Sequence, residues 1–521
     1  MSVASTPAQA DVQPPAGLVA RSSAALSTAW SLKHYLPTVA RTAVSYYVWG
    51  PPQESWPLQL ALFTALARYQ SAATAAERKL RQTASSSSSS STTPELDVVK
   101  ATQATRRRVE KLLVGREPEQ PKGGAVWEVA VGVKKRGLKG VLEEVDAQED
   151  GTRTIKAEWT AHRSLFISPS SEPPKPSDRV ILYTHGGAYT LLSVKTHRSL
   201  CVQLSKETGY RVLSLDYRLS PETRYPGAVL DAVNAYFYLT QDLGIPASNI
   251  IVGGDSAGGN LALALLLYLR DAGLPQLAGG LLISPWVDMT ASLGSWDENK
   301  DLDYLSSGDP SDPLSPPRLF LPPDSYDTLI ASPYVSPALS APLHSLPPLL
   351  IHSGAVETLR DEHTLLAQRA ARAGVDVTHE VFGSSVHVFH MIMKESSAEV
   401  GLKAIGEWAT ARREKETSVR PVEAEKLREV DERLRTAWED RPAAEKAERA
   451  PSTLPAPRFT WDRVVERPPP IKLRENAHEV ARQAVEENER EAERVPEGLT
   501  AVYYARPAQG VVGRVRGLLH L

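Results

Sequence analysis

The stretch Gly253-Gly254-Asp255-Ser256-Ala257-Gly258-Gly259-Asn260 constrains this chain more than any other. A β-branched run, Ile250-Ile251-Val252, precedes it, and an apolar segment from Leu261 to Leu269 follows. Short apolar runs of this kind suit a strand covered on both faces, and the longer segment suits a buried helix. The glycines therefore mark a tight strand-to-helix turn. A side chain at Gly254 or Gly258 would strike the neighbouring strand or helix backbone, which is why glycine is required there. A serine at the apex of such a turn is exposed at the carboxyl edge of a sheet, the place of a nucleophile. Ser256 is read in that role.

The flanking sequence repeats the same rhythm. Strands are predicted over Val126–Val133, Thr154–Phe166, Val180–Thr184, Val212–Leu215, Ile250–Val252, Leu281–Ile283, Leu349–Ile351 and Val377–Phe382. Helices are predicted over Gly227–Thr240, Asn260–Ala272 and Asp361–Ala373, the last closed by Gly374. Strand and helix in alternation point to an α/β fold with a mostly parallel central sheet flanked by helices. Residues 286–346 break the alternation and are rich in Pro, Ser and Asp, so they are read as a lid inserted after the sixth strand.

A second chemical signal is His185-Gly186-Gly187-Ala188-Tyr189, directly after the strand Val180–Thr184. When an acyl carbon becomes tetrahedral its oxygen gains charge, and backbone N–H groups aimed at it stabilise that charge. Gly186 and Gly187 let the backbone approach a substrate, and Ala257 N–H would complete the oxyanion hole. His185 is read as a brace for this loop. For the acid, Glu357 competes with Asp361 and Glu362, which open the next helix and suit its dipole. For the base, His387 follows the last strand in a loop, whereas His390 lies at a helix start and His379 inside a strand. The order serine, acid, histidine along the chain fits Ser256 and His387 and leaves Glu357, Asp361 and Glu362 open for the acid. A trypsin-like protease is excluded: Ala257 follows the serine directly, where those enzymes have glycine.

His185-Gly186-Gly187 and Gly254-Asp255-Ser256-Ala257-Gly258-Gly259, together with Asp216-Tyr217-Arg218-Leu219-Ser220-Pro221-Glu222, Tyr225-Pro226 and Ser284-Pro285-Trp286-Val287-Asp288, resemble the hormone-sensitive-lipase-like family of α/β-hydrolases. The resemblance covers about Val180 to Phe389. It implies the α/β-hydrolase fold, with a cap formed by N-terminal helices and the insert after the sixth strand. It also implies that Glu357, at the family's acid position, completes the triad with Ser256 and His387, and that Asp216, Arg218 and Glu222 form a structural network near the site. Ala188 stands where many members have a third glycine, which keeps the N–H and changes only the shape of the pocket.

Composition bounds the rest. With 521 residues and a net charge of −3, the chain exceeds one ordinary domain and has no basic excess for a nucleic-acid partner. The single cysteine, Cys201, cannot form an internal disulfide, which favours a reducing, cytoplasmic setting; it reads as a buried thiol. No apolar run is long enough to span a membrane. Residues 12–53 contain no acid but hold Arg21, Lys33 and Arg41, which admits an organelle-targeting or membrane-surface segment beside the plainer expectation of packing helices. Three regions are expected: 1–122, N-terminal helices with a disordered start and a flexible serine run at Ser85–Ser91; 123–412, the catalytic domain; and 413–521, a charged, largely disordered tail with isolated helices such as Glu475–Glu493.

The expected activity is hydrolysis of carboxylic esters, with a small-molecule ester as partner, no cofactor and no metal. An amidase or lipid deacetylase of the same fold is the neighbouring alternative. A small-molecule receptor on a hydrolase scaffold is the alternative of another class, and the presence of His387 beside Ser256 and Glu357 speaks against it.

Overall fold

The computed structural model describes residues 35–53, 56–69, 94–113, 120–166, 179–305, 312–392, 397–414, 424–442, 462–464, 470–491 and 499–505. The expectations placed on residues 1–16, Arg21, Lys33 and the serine run lie outside them. The chain divides into two compact units, within Met1–Arg81 and Gln82–Leu521. This boundary falls earlier than the expected 122.

In the smaller unit, helices span 35–49 and 58–69. Trp56, Leu60 and Ala61 are buried there, and Tyr46 donates its hydroxyl proton to Trp56 O at 2.8 Å. Val44, Tyr47, Val48 and Trp49 at the end of the first helix are exposed.

The larger unit is built on a ten-stranded sheet. Its strands are β1 (Gly124–Gly132), β2 (Thr154–His162), β3 (Val180–Thr184), β4 (Arg211–Leu215), β5 (Ile250–Asp255), β6 (Gly279–Ile283), β7 (Leu349–Gly354), β8 (Val377–Phe382), β9 (Asp462–Val464) and β10 (Leu499–Ala505). The spatial order is β1-β2-β4-β3-β5-β6-β7-β8-β10-β9. From β4 to β10 every neighbouring pair is parallel. The two pairs made by β2 and the pair β10–β9 are antiparallel.

Side chains alternate across a strand, and here that alternation sorts them into two cores. Leu182, Leu213, Val252, Leu282 and Ile351 face helices Gly227–Phe237 and Ala257–Asp271. Ile181, Val212, Ile251, Leu281 and Leu350 face helices Val194–Thr208 and Ser397–Glu414. Both faces are covered, so the central strands carry unbroken apolar runs. The expected strand Thr154–Phe166 ends at His162, where the chain turns into a 3-10 turn over Arg163–Leu165. Helix Pro94–Leu113 belongs to this unit: Arg106 donates to Thr190 O and Ser220 O and pairs with Glu222 at 3.0 Å.

Two expectations need correction. The insert 286–346 is not simply a lid. Val287, Leu293, Trp296, Val335, Ala338 and Leu339 are buried in the body of the unit, and Phe320 stacks on Tyr189 with ring centroids 3.9 Å apart. The proline-rich composition that suggested a loose lid belongs instead to short helices, such as Pro316–Phe320 and Pro337–Ser340, that pack inward.

The described tail helices are not isolated either. Helix Ala424–Glu439 buries Leu427, Val430, Leu434 and Trp438, spaced as one helical face. Helix Glu479–Arg490 buries Ala481, Ala484 and Val485 in a cluster with Leu339 and Leu365. Strand β10 pairs with β8 from Leu499 opposite Val377 to Tyr504 opposite Phe382. A high density of charge hid these narrow apolar faces, which become stable only against the sheet and helices they cover.

Candidate active site

Ser256 sits between β5 and helix Ala257–Asp271 with φ 53° and ψ −122°, a backbone state that costs energy outside glycine. The surroundings hold it there. Its N–H donates to Ile283 O at 2.9 Å, and its carbonyl accepts from Trp286 N at 2.9 Å. A Cβ on Gly254 would lie 2.4 Å from Gly258 O, and one on Gly258 would lie 2.0 Å from Thr184 O. The turn closes only with glycine at both places. Ser256 remains partly exposed while its neighbours Asp255 and Ala257 are buried.

The loop after β3 is tied to this turn by Asp255. One carboxylate oxygen, Oδ1, accepts from Tyr183 OH at 2.7 Å and from Gly186 N–H at 3.1 Å. His197 Nε2 lies 3.3 Å from the same oxygen. Burial works against the charge of Asp255, but His197 and the Tyr183 hydroxyl hold its carboxyl below the usual range. Gly186 was expected among the oxyanion donors; its N–H is already spent on Asp255. A Cβ there would also meet Asp255 Oδ2 at 2.2 Å, so this glycine serves packing. Gly187 and Ala188, at φ 113° and 54°, are the partly exposed members of the loop. Ala257 opens its helix, where an N–H has no intrahelical acceptor. His185 is buried, stacks on Tyr217 at 4.4 Å and bonds Gly186 O through Nδ1 at 2.7 Å. Burial pushes its proton affinity down, to a pKa of about 3, which fits a neutral brace.

Glu357 follows β7 and His387 follows β8, so both lie at the carboxyl edge of the parallel strands, as Ser256 does after β5. The structure brings Glu357 and His387 together: Nδ1 is 2.9 Å from Oε2. The other oxygen, Oε1, accepts from Gly354 N at 2.6 Å and Ser284 Oγ at 3.2 Å. Burial opposes the charge of Glu357, yet His363 and His387 beside it hold its pKa at about 2. An ionised Glu357 fixes the proton of His387 on Nδ1 and leaves Nε2 as the acceptor. His387 itself is held above the ordinary histidine value: burial lowers it, and the bond to Glu357 with the charges of Glu357, Asp303 and Asp255 more than offsets that.

The competing candidates are engaged elsewhere. Asp361 accepts from Ser295 N at 3.0 Å, and Glu362 accepts from Val287 N at 2.7 Å and Asp288 N at 3.1 Å. His390 Nε2 meets His352 Nδ1 at 3.0 Å, and His379 Nε2 meets Ser353 Oγ at 2.8 Å. Asp216, Arg218 and Glu222 do not bond to one another. Arg218 pairs with Asp231 at 2.9 Å, Glu222 with Arg106, and Asp216 faces His185 at 4.0 Å. Cys201 is buried against Ser214, with burial pushing its thiol up to about 12.

Residues 295–303 hold the acid and base loops and were missed in the sequence, where they read as part of the lid. Asp303 is buried; Oδ1 accepts from His387 N at 3.2 Å and Oδ2 from Thr358 N at 2.9 Å. Asn299 donates to Glu357 O at 2.8 Å, and Ser295 Oγ donates to Thr358 O at 2.6 Å. An acidic residue in a polar loop carries no signal in one sequence that distinguishes it from a solvated one. Among the described residues no helix is long and apolar enough to cross a membrane.

Comparison with known proteins gives relatives of this chain. Residues 181–391 match the family described as alpha/beta hydrolase fold. An acetyl-hydrolase of Streptomyces hygroscopicus is 40% identical over 232 residues, which are 42% of this chain and 70% of the relative. An esterase of Acinetobacter venetianus is 34% identical over 237 residues, 45% of this chain and 75% of the relative. The solved structure of an esterase from the bacterial hormone-sensitive lipase family is 30% identical, with a TM-score of 0.50, over 69% of this chain and 99% of that one.

Proposed function

The chain belongs to the hormone-sensitive-lipase-like α/β-hydrolases, and on that footing we propose that it hydrolyses carboxylic esters through a Ser256–His387–Glu357 triad and an acyl-enzyme. The observation that carries the mechanism is the 2.9 Å contact of His387 Nδ1 with the ionised Glu357. It leaves Nε2 free to take the Ser256 Oγ proton as the oxygen attacks the ester carbonyl. The N–H groups of Gly187, Ala188 and Ala257 are assigned to the developing oxyanion, since Gly186 is committed to Asp255. The imidazolium then returns its proton to the departing alkoxide. Water repeats the sequence on the acyl-enzyme and frees the acid. The relative named as an esterase supports ester substrates, and the name of the acetyl-hydrolase fits an acetyl ester or an acetyl amide.

The test is a fluorophosphonate probe with a series of p-nitrophenyl esters of increasing acyl length. Wild type should be labelled and active. Ser256→Ala should not be labelled and should lose up to about 10⁶ in kcat, as triad serines do. Labelling that persists in Ser256→Ala sinks the assignment, and anilides turned over faster than esters would replace the esterase by an amidase.

A further inference from the structure

The loop that carries two of the assigned oxyanion donors is strained. Gly187, Ala188, Tyr189 and Leu192 have φ of 113°, 54°, 59° and 67°. A Cβ crowds the backbone in that region, so the three non-glycine residues need restraint from their surroundings to stay there. Part of the restraint is local: the Thr190 and Leu191 N–H groups donate to Gly187 O at 3.0 and 2.8 Å. Part comes from the segment after β4, where Ser220 N–H donates to Tyr189 O at 2.8 Å. The next carbonyl of the loop, Thr190 O, accepts from Arg106 Nε at 2.9 Å.

Arg106 lies on helix Pro94–Leu113, 84 residues before Thr190. Its Nη2 donates to Ser220 O at 2.9 Å, and Nη1 and Nη2 meet the two carboxylate oxygens of Glu222 at 3.0 Å each. One planar guanidinium thus joins the loop to the segment that holds it. Thr190 and Ser220 are buried, while the Arg106 side chain keeps 22% exposure, which leaves its place reachable from solvent. The same face of the helix makes two further ties. Gln103, one turn before, donates to Glu222 Oε1 at 3.0 Å, and Glu110, one turn after, accepts from Ser193 Oγ at 3.3 Å. Ser193 is the residue at which the loop enters helix Val194–Thr208.

We propose that Arg106 is a positioning residue for the oxyanion hole: it locks the strained loop so that the N–H groups of Gly187 and Ala188 stay aimed at the developing charge. This inference rests on the assignment of those N–H groups under the proposed function. Preorganised donors stabilise an oxyanion because they need not turn toward it as the charge forms. A loop free to relax would lose that advantage and leave substrate binding as it was. Arginine suits the task by its shape. Nε and both Nη donate in fixed directions within one plane and hold three residues at once, which the compact ammonium of a lysine cannot do.

The test uses Arg106→Lys and Arg106→Ala in the full chain, with p-nitrophenyl acetate as substrate and an alkyl trifluoromethyl ketone that Ser256 would bind as a hemiketal anion. Both variants should lose about tenfold to hundredfold in kcat with KM unchanged, at or below the roughly 10²–10³ that removal of a whole oxyanion donor costs. Affinity for the ketone should fall by the same factor. The acidic limb of kcat/KM should stay in place, because Arg106 does not act on His387. In Arg106→Ala, added ethylguanidine should restore part of kcat and ethylamine should not. Wild-type kcat in Arg106→Lys would overturn the inference and leave Arg106 as a charge partner of Glu222. A rise in KM at constant kcat would overturn it too, by showing a helix that only shapes the pocket. So would a shifted limb, which marks a disturbed triad. If Arg106→Ala does not fold, Arg106→Lys decides, since it keeps the charge and the apolar stem. A wild type that is inactive and unlabelled by the fluorophosphonate would instead overturn the proposed function, and this inference with it.

Discussion

Asp431 closes on Arg211 across 220 residues of sequence, with Nε to Oδ1 at 2.7 Å and Nη2 to Oδ2 at 2.5 Å. Arg211 opens β4, and its side chain is almost wholly buried beneath helix Ala424–Glu439. A guanidinium inside a protein needs such a two-point partner, because unpaired it would carry an uncompensated charge out of water. Arg441 reinforces the dock by donating to Pro121 O at 2.7 Å and Gly124 O at 3.2 Å.

Helix Ala424–Glu439 is accordingly part of the fold. Asp431→Ala should destabilise the protein by about 3–5 kcal/mol, the usual cost of stranding one member of a buried pair. Urea unfolding measures it. Removal of everything after Glu414 should expose the sheet beneath Leu427, Leu434 and Trp438 and give aggregated protein. A soluble, fully active truncated protein would contradict this.

Asp303 joins the acid and base loops, accepting from Thr358 next to Glu357 and from His387 itself. Asp303→Ala should strand those buried N–H groups at about 1–3 kcal/mol. It should lower kcat by at least about tenfold as His387 loses its alignment. Steady-state kinetics beside a thermal melt separate the two effects. An unchanged kcat in a folded variant would show that the loops need no clamp.

The acidic limb of activity follows from the environment of His387. The base must be neutral to accept a proton, so kcat/KM rises with pH. Glu357, Asp303 and Asp255 favour its protonated form, which places the midpoint above the ordinary value of about 6.5. Glu357→Gln should lower both the midpoint and kcat. A wild-type midpoint below 6 would contradict the assignment.

The same pair makes a stability prediction. The Glu357 pKa is depressed when folded, to about 2. Its contribution is therefore complete above the unfolded value of about 4.3 and is lost as pH falls toward 2. The urea midpoint of Glu357→Gln should converge on that of wild type over this window. A gap that stays constant from pH 6 to pH 3 would exclude the linkage.

His387 and His390 are separable. His387→Ala should remove nearly all turnover, up to about 10⁶-fold. His390 meets His352 and packs beside Phe389, its rings 3.9 Å apart. His390→Ala should cost stability and at most a modest factor in kcat. Equal losses of turnover in the two would leave the base unassigned.

Much of this is legible in the sequence. The Gly254-Asp255-Ser256-Ala257-Gly258 turn announces itself because steric exclusion is local: a few adjacent residues determine whether the backbone can pass. Chain order and strand rhythm likewise point to His387, which follows the last predicted parallel strand, whereas Glu357 is told apart from Asp361 and Glu362 by its match to the family's acid position. The distinction between Gly186 and Gly187 was not legible. Which N–H turns toward Asp255 depends on how two separate turns meet.

Sequence alone thus determined the properties written in short-range pattern: the alternation of buried strands and helices, the strained serine turn, and the residues that follow each strand. Tertiary structure alone decided which acids are buried and which charges pair. Asp303 and Asp431 read as solvated residues in polar or charged stretches, yet one clamps the loops of the site and the other neutralises Arg211. The physical reason is that a charge is indifferent to its sequence neighbours when water surrounds it. Its cost and its partner are set only when distant segments fold around it and take that water away.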